Sequence, residues 1–236
     1  MSRLTLLGTV HRDPSGLGRL LRFLDEQRPD IITLELSLYG LRFRQIMKRK
    51  LRKRLLKGLT EIRTGYGLTL KELKVLLRST GIGGVVAFID LPFEYKGAKF
   101  YSQHHQLPLF LLDISSQSRK LLRHTNELFS PTNLEKIFYF ESTPMIEIVE
   151  REYSLAARII RDEEAFHWLK FFPFADGCKE RDRIMAERLK LILGRYPRHT
   201  VLHISGWQHL LAKKGTLFNF LEDLRPGRVL LGHLSL

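Results

Sequence analysis

The chain has 236 residues, 44% of them hydrophobic and 27% charged, the balance of a folded protein with a proper core rather than of a disordered or fibrous one. Its single cysteine, Cys178, excludes an intrachain disulfide framework and a cysteine-based zinc site. No apolar run approaches the roughly 20 residues of a membrane helix, and Met-Ser-Arg-Leu-Thr-Leu-Leu-Gly8 leaves no room for a signal peptide, so a cytoplasmic protein is expected.

Leu4-Thr-Leu-Leu-Gly-Thr-Val-His11 is a short apolar run, the pattern of a buried strand; it breaks at Gly8 and places His11 three residues later. Arg12-Asp-Pro-Ser15 follows as a turn, with Asp13 or Ser15 able to cap a helix. Leu17, Leu20, Leu21 and Leu24 then recur at helical spacing and predict one buried face. Arg28-Pro-Asp30 stops that helix, and Ile31-Ile-Thr-Leu-Glu-Leu36 reads as a second strand. Strand, helix and strand with short joints make a βαβ unit, whose two strands are parallel and end on one edge. His11 and Glu35 are therefore expected on that edge. Glu35 sits at the end of an apolar strand, where a carboxylate must be paired, metal-bound, protonated or turned to water.

Arg42 to Lys57 holds nine lysines and arginines and no acidic residue, interleaved with leucine, isoleucine and methionine. The spacing predicts an amphipathic helix with a basic face, and much of the formal net charge of +14 comes from it. Such a face is most simply solvated, but it also suits an anionic membrane surface or nucleic acid. Gly65-Tyr-Gly67 and Gly81-Ile-Gly-Gly84 punctuate a helix near Thr69 to Arg78 and lack the lysine and serine or threonine of a phosphate loop. Val85 to Ile89 fits a strand or a helix equally. Tyr95 to Gln106 reads as a helix, and Pro108-Leu-Phe-Leu-Leu-Asp113 as a third strand. Asp113 is read chiefly as a cap for the helix starting at Ser115-Ser116, and secondarily as support for the site.

Residues from about 115 to 175 are charged and helical in pattern, an insertion expected to cover part of the sheet. Its aromatic cluster, Phe166, Trp168, Phe171, Phe172 and Phe174, is read as packing. A helix through Ile184, Met185, Leu189 and Leu193 stops at Gly194. Val201-Leu-His-Ile-Ser-Gly-Trp-Gln-His209 then repeats the opening theme, with a strand, Gly206 and His209 three residues on. Arg228-Val-Leu-Leu-Gly-His233 is a closing strand, and His203 and His233 are read as core or edge histidines. The whole predicts an α/β fold over residues 1–236 as one domain: a mostly parallel central sheet, flanking helices and a helical insertion in mid-chain.

These pieces together resemble the TraB/PrgY family, within a clan that also holds Tiki proteases, GumN-like proteins and erythromycin esterases. The matching segments are Leu-Gly-Thr-Val-His11, Arg-Pro-Asp-Ile-Ile-Thr-Leu-Glu35, Glu94-Tyr-Lys-Gly-Ala, Leu-Leu-Asp113, Glu180-Arg-Asp-Arg-Ile-Met-Ala and Ser-Gly-Trp-Gln-His209. Family members usually carry an arginine after the strand aspartate, where this chain has Ile114. The resemblance leaves the basic segment unaccounted for.

Two imidazoles and a carboxylate at a strand edge form a sensible divalent-metal site with open coordination positions. The resemblance implies a metal-dependent peptidase, with manganese or cobalt favoured over zinc. His11 and His209 are then the expected ligands, and Glu35 the third ligand or the general base. Arg181 would stabilise an oxyanion or a substrate carboxylate, with Gly8, Gly206, Asp113, Glu94 and Asp182 in support. The expected substrate is a peptide or a small ester or amide, and a homo-oligomer is compatible with the sequence. Two other functions fit the same residues: a metal-free hydrolase with histidine as base, and a non-catalytic protein that binds peptides or sits on a membrane surface.

Overall fold

The structure is a computed structural model that describes residues 3–77, 80–123, 125–140, 143–162 and 176–233. Among the described residues five strands form one sheet: β1 Leu4–Thr9, β2 Ile31–Leu34, β3 Leu109–Leu111, β4 Val201–Gly206 and β5 Gly227–Leu230. They lie in the order β3-β2-β4-β1-β5, and every pairing is parallel. All the residues of β2 and β4 are buried. Strands covered on both faces must be apolar on both, hence the continuous Ile-Ile-Thr-Leu and Val-Leu-His-Ile runs in place of an alternating pattern. Strand β4 lies between β1 and β2, with Leu4 opposite Val201 and Val201 opposite Ile31. The carboxyl ends of these three central strands therefore meet at one edge, although their residues are far apart in the chain.

Helices flank the sheet. The first half of the chain supplies α1 Gly16–Gln27, α2 Leu38–Gly65, α3 Leu70–Leu76, α4 Thr80–Ile89 and α5 Phe93–His105. The second half supplies α6 Ser115–Leu122, α7 Thr125–Leu128, α8 Pro131–Phe140, α9 Met145–Arg161, α10 Asp176–Arg195 and α11 Leu217–Phe220. One apolar core gathers the strands with Leu20, Phe23 and Leu24 of α1, Tyr153 of α9, and Met185 and Leu189 of α10. Each such side chain, fully buried, contributes roughly 1.5–3 kcal/mol. A second core joins Leu51, Leu55 and Leu59 of α2 to Val85 of α4 and Leu134 of α8. Gly58 makes that contact close, since a methyl group there would lie 2.5 Å from Leu134 Cδ1.

Several expectations need correction. On α1 the buried face is Leu20, Phe23 and Leu24, while Leu17 is exposed, because the helix turns its Leu20–Phe23–Leu24 edge to the sheet. Neither Asp13 nor Ser15 caps α1 with its side chain; Asp13 instead accepts the Ser15 N–H at 2.8 Å and fixes the turn. The ambiguous Val85–Ile89 run is helical, since in α4 Val85 and Ile89 pack into the second core. The last strand is shorter than expected and gives way to a 3-10 turn at Leu231–His233. The inserted segment is helical through α6 to α9. The aromatic cluster from Phe166 to Phe174 falls outside the described residues, as does the side chain of His233.

The basic run lies within the 28 residues of α2, started by Ser37, whose hydroxyl accepts the Gly40 N–H at 2.9 Å. Lys48 and Arg52 pair with Asp90, while Arg42, Arg49 and Lys53 are exposed. Among the described residues no helix is long and apolar enough to cross a membrane.

Candidate functional site

His11 and His209 both occupy turns just past the ends of adjacent strands, β1 and β4. The His11 turn is set from behind by Tyr153 of α9, whose hydroxyl accepts the Val10 N–H at 3.1 Å and reaches Asp13 at 3.4 Å. Its ring then meets Glu94 in the first turn of α5, with Nδ1 2.8 Å from Oε1. The hydroxyl of Thr9 donates to the same oxygen at 2.8 Å, so Glu94 is anchored to the strand whose histidine it orients. His209 is held in the same way from the other side. Its Nδ1 lies 2.9 Å from Asp182 Oδ2, and that oxygen also accepts the Leu217 N–H at 2.8 Å. Both supporting carboxylates are buried, Glu94 at 6% and Asp182 at 3% exposure, and both therefore need the hydrogen bonds they receive.

With Nδ1 given to a carboxylate, each ring presents Nε2 to the centre, where Glu35 stands. Glu35 follows β2 and keeps the sheet pairing, its N–H donating to Ile204 at 2.9 Å. His209 Nε2 is 3.1 Å from its Oε1 and His11 Nε2 is 3.8 Å from its Oε2. The Gly206 N–H donates to Oε2 at 2.7 Å, and Arg181 Nη2 lies 2.5 Å from Oε1. Arg181 is itself gripped by Asp113, with Nε donating to Oδ1 at 2.6 Å and Nη2 to Oδ2 at 2.9 Å. The order across the edge is thus Glu94–His11–Glu35–His209–Asp182, with Asp113–Arg181 closing on Glu35.

The glycines of the two Gly-x-x-His segments have a steric purpose that crosses between strands. A methyl group on Gly206 would sit 3.0 Å from His11 Nε2 and 3.6 Å from Glu35 Oε2. One on Gly8 would meet Leu210 and the Trp207 backbone at 3.0 Å. Each glycine therefore admits the partner strand's turn. Gly206→Ala is expected to leave the thermal midpoint nearly unchanged, since its φ of −57° suits alanine. It should push the His11 ring off Glu35 and lower any activity of the site by about 10²-fold, the scale of a 1 Å misplacement. Measuring both on the purified variant checks this; full activity would show that the His11–Glu35 approach is dispensable.

The charges are strongly coupled. Burial opposes ionisation of Glu35, but the charges of His209 and Arg181, the His209 hydrogen bond and the charge of His11 hold it well below the usual carboxylate range. Burial pulls His209 down, and Glu35 together with Asp182 outweighs it, raising the imidazole to about 10. Burial is likewise outweighed at His11, where Glu94 and Glu35 raise it to about 9. The His11 side chain is 58% exposed against 12% for His209, so water screens its pairing and the shift at His209 is the more consequential. Without a metal, then, both rings are imidazoliums facing a carboxylate.

The expected site residues come together: His11, Glu35, His209, Arg181 and the supporting Glu94, Asp113 and Asp182. Two are placed differently from expectation. Asp113 does not cap α6, where Ile114 is the N-cap with no side-chain bond; its carboxylate is spent on Arg181 and the Ile114 N–H. Arg181 turns Nε and Nη2 to Asp113 and Glu35, leaving Nη1 without a partner among the described residues. His203 belongs to the core, as expected. It is fully buried, bonded to Thr33 at 2.9 Å and lowered by burial to about 3, hence neutral. Sequence reasoning missed Arg44, an arginine on α2 indistinguishable from its basic neighbours until the fold turns it toward this site.

The centre opens into a cavity of about 1030 Å³. Its walls are largely apolar, with Val85 and Phe88 of α4 and Leu121 and Leu122 of α6, and Glu152 of α9 stands at the rim bonded to Trp207.

A divalent cation is suited to the donor types present: two imidazoles, each with Nδ1 on a buried carboxylate, the arrangement that usually orients metal-binding histidines, and a third carboxylate between them. The guanidinium on Glu35 and the 3.8 Å gap to His11 count the other way, and among the described residues no three acidic, histidine or cysteine side chains are already drawn together as a ligand set. No protein-family model matches the chain, and neither a curated protein nor a solved structure emerges as a relative.

Proposed function

We propose that the protein is a divalent-metal-dependent hydrolase of amide or ester bonds, a peptidase in type, as its resemblance to the TraB/PrgY family implies. The observation that carries this is the pair of carboxylate-backed imidazoles turned on one buried glutamate. His11, His209 and Glu35 would hold the cation, manganese or cobalt before zinc. Such an ion supplies a Lewis acid that polarises a carbonyl and eases loss of a proton from water. Glu94 and Asp182 keep each ring in the tautomer with Nε2 free to ligate. Glu35 either completes the ligand set or takes the proton from water, and Arg181 fixes its orientation while offering Nη1 to the negative oxygen that develops.

A metal-free hydrolase has its own support. Arg181 already gives Glu35 a cation, so the central charge is balanced with no metal bound, although the raised His11 must first give up its proton before it can act as base. Metal analysis of the purified protein beside Glu35→Ala and His209→Ala separates the two, with a chromogenic peptide amide and a nitrophenyl ester as probes. The expected result is bound metal in the wild type only, hydrolysis abolished by chelator and restored by manganese. Activity unaffected by chelator but lost in His11→Ala would install the metal-free mechanism instead. Binding of peptide without cleavage in the metal-loaded protein would make it a binding module.

A further inference from the structure

Arg44 lines the cavity in front of the centre and differs from the other arginines of the site. Arg181 and Arg12 are paired with carboxylates, but no carboxylate lies within 4 Å of Arg44 among the described residues. Its Nη1 donates to Gly40 at 3.2 Å, in the space that Gly40 leaves by lacking a side chain, and its guanidinium lies 5.6 Å from the Phe88 ring. Nε is sealed from solvent and has no acceptor among the described residues. A guanidinium in that position is costly unless something anionic meets it. Burial weakens its hold on the proton and only the charge of Glu94, beyond contact distance, works against this.

Glu94 offers the complement. Its Oε1 is taken by Thr9 and His11, while the buried Oε2 has no donor among the described residues. The cavity therefore holds one buried donor lacking an acceptor and one buried acceptor lacking a donor, between largely apolar walls. A fatty acid would answer the first alone, whereas a peptide with a free terminal carboxylate brings the acceptor, amide N–H donors and apolar side chains.

We propose that Arg44 is a carboxylate receptor that selects short apolar peptides with a free C-terminus, with Glu94 Oε2 taking an N–H of the same ligand. This deepens the hydrolase reading, on which it rests only for the ligand being a substrate. The guanidinium fork matches a carboxylate with two parallel hydrogen bonds.

Calorimetric titration with N-acetyl-trileucine, its C-terminal amide and dodecanoate tests this, with cleavage followed in parallel. The peptide acid should bind at least about tenfold more tightly than the amide or dodecanoate, the scale of one charge-assisted hydrogen bond. Arg44→Gln should erase the preference for acid over amide, and Arg44→Lys should keep only part of it. His11→Ala should retain it, so that a failed hydrolase and a failed receptor give different results. Equal binding of acid and amide by the wild type, no binding of either, or an undiminished preference in Arg44→Gln overturns the proposal. Should that variant not fold, an undiminished preference in Arg44→Lys does so. Dodecanoate binding as tightly as the peptide acid overturns the choice of a peptide.

Discussion

Arg181→Leu is expected to destabilise the protein by about 3–5 kcal/mol, the usual consequence of removing one member of a buried ionic group. The side chain stands between Glu35 and Asp113, whose side chains are 5% and 7% exposed. With the guanidinium gone, two carboxylates stay buried with backbone N–H groups, imidazoles and a long bond from the Ser118 hydroxyl to satisfy them. On a chain of this size the thermal midpoint should fall on the order of 10 °C. Arg181→Lys should recover part of the loss, because an ammonium can meet one carboxylate but cannot replace the two bonds to Asp113 together with the contact to Glu35. If uncompensated negative charge is the cause, the deficit should shrink in acid, where the carboxylates take up protons. Denaturant unfolding of the three proteins at neutral and acid pH measures this. A deficit under 1 kcal/mol, or one indifferent to pH, would show that Arg181 contributes by packing alone.

How far this site could be read beforehand depended on where each partner lies in the chain. His11, Glu35 and His209 were legible because each directly follows an apolar strand, and parallel strands bring their carboxyl ends to one edge. Asp113 was misjudged because aspartate before Ser-Ser has the local chemistry of a cap, while its true partner lies 68 residues away. Glu94 and Asp182 could be singled out only by resemblance, for nothing in a helical glutamate or aspartate reveals that it faces an imidazole 83 residues earlier or 27 later. In the fold, Val85–Ile89 has strand-forming residues but is helical, since packing against α2 outweighs a propensity of about 1 kcal/mol or less. Arg44 was lost among nine like charges. Position relative to a strand end is written in the sequence; a long-range side-chain partner is not.

Glu35→Gln is expected to abolish function with little loss of shape, lowering activity on the order of 10³-fold whether the carboxylate ligates metal or accepts a proton. Glutamine still accepts the Gly206 N–H but cannot carry the charge that His11, His209 and Arg181 surround. The pH dependence of stability, measured in chelator, identifies that charge as the cause. In the wild type His209 is raised from 6.5 to about 10, so between those values the folded state binds more protons than the unfolded state. Its contribution is complete below pH 6.5 and is lost as the pH rises toward 10. Glu35 acts in the opposite sense: its stabilisation is present above its ordinary value of 4.5 and is lost as the pH falls below it. The coupled pair therefore favours the folded state most between about pH 4.5 and 6.5. Removing the Glu35 charge should flatten both flanks, leaving the shallower alkaline slope that Asp182 alone imposes on His209. Identical slopes in wild type and variant would mean that the imidazole is held by Asp182 only, and that the charge at the centre of the site does not bind the two histidine turns together.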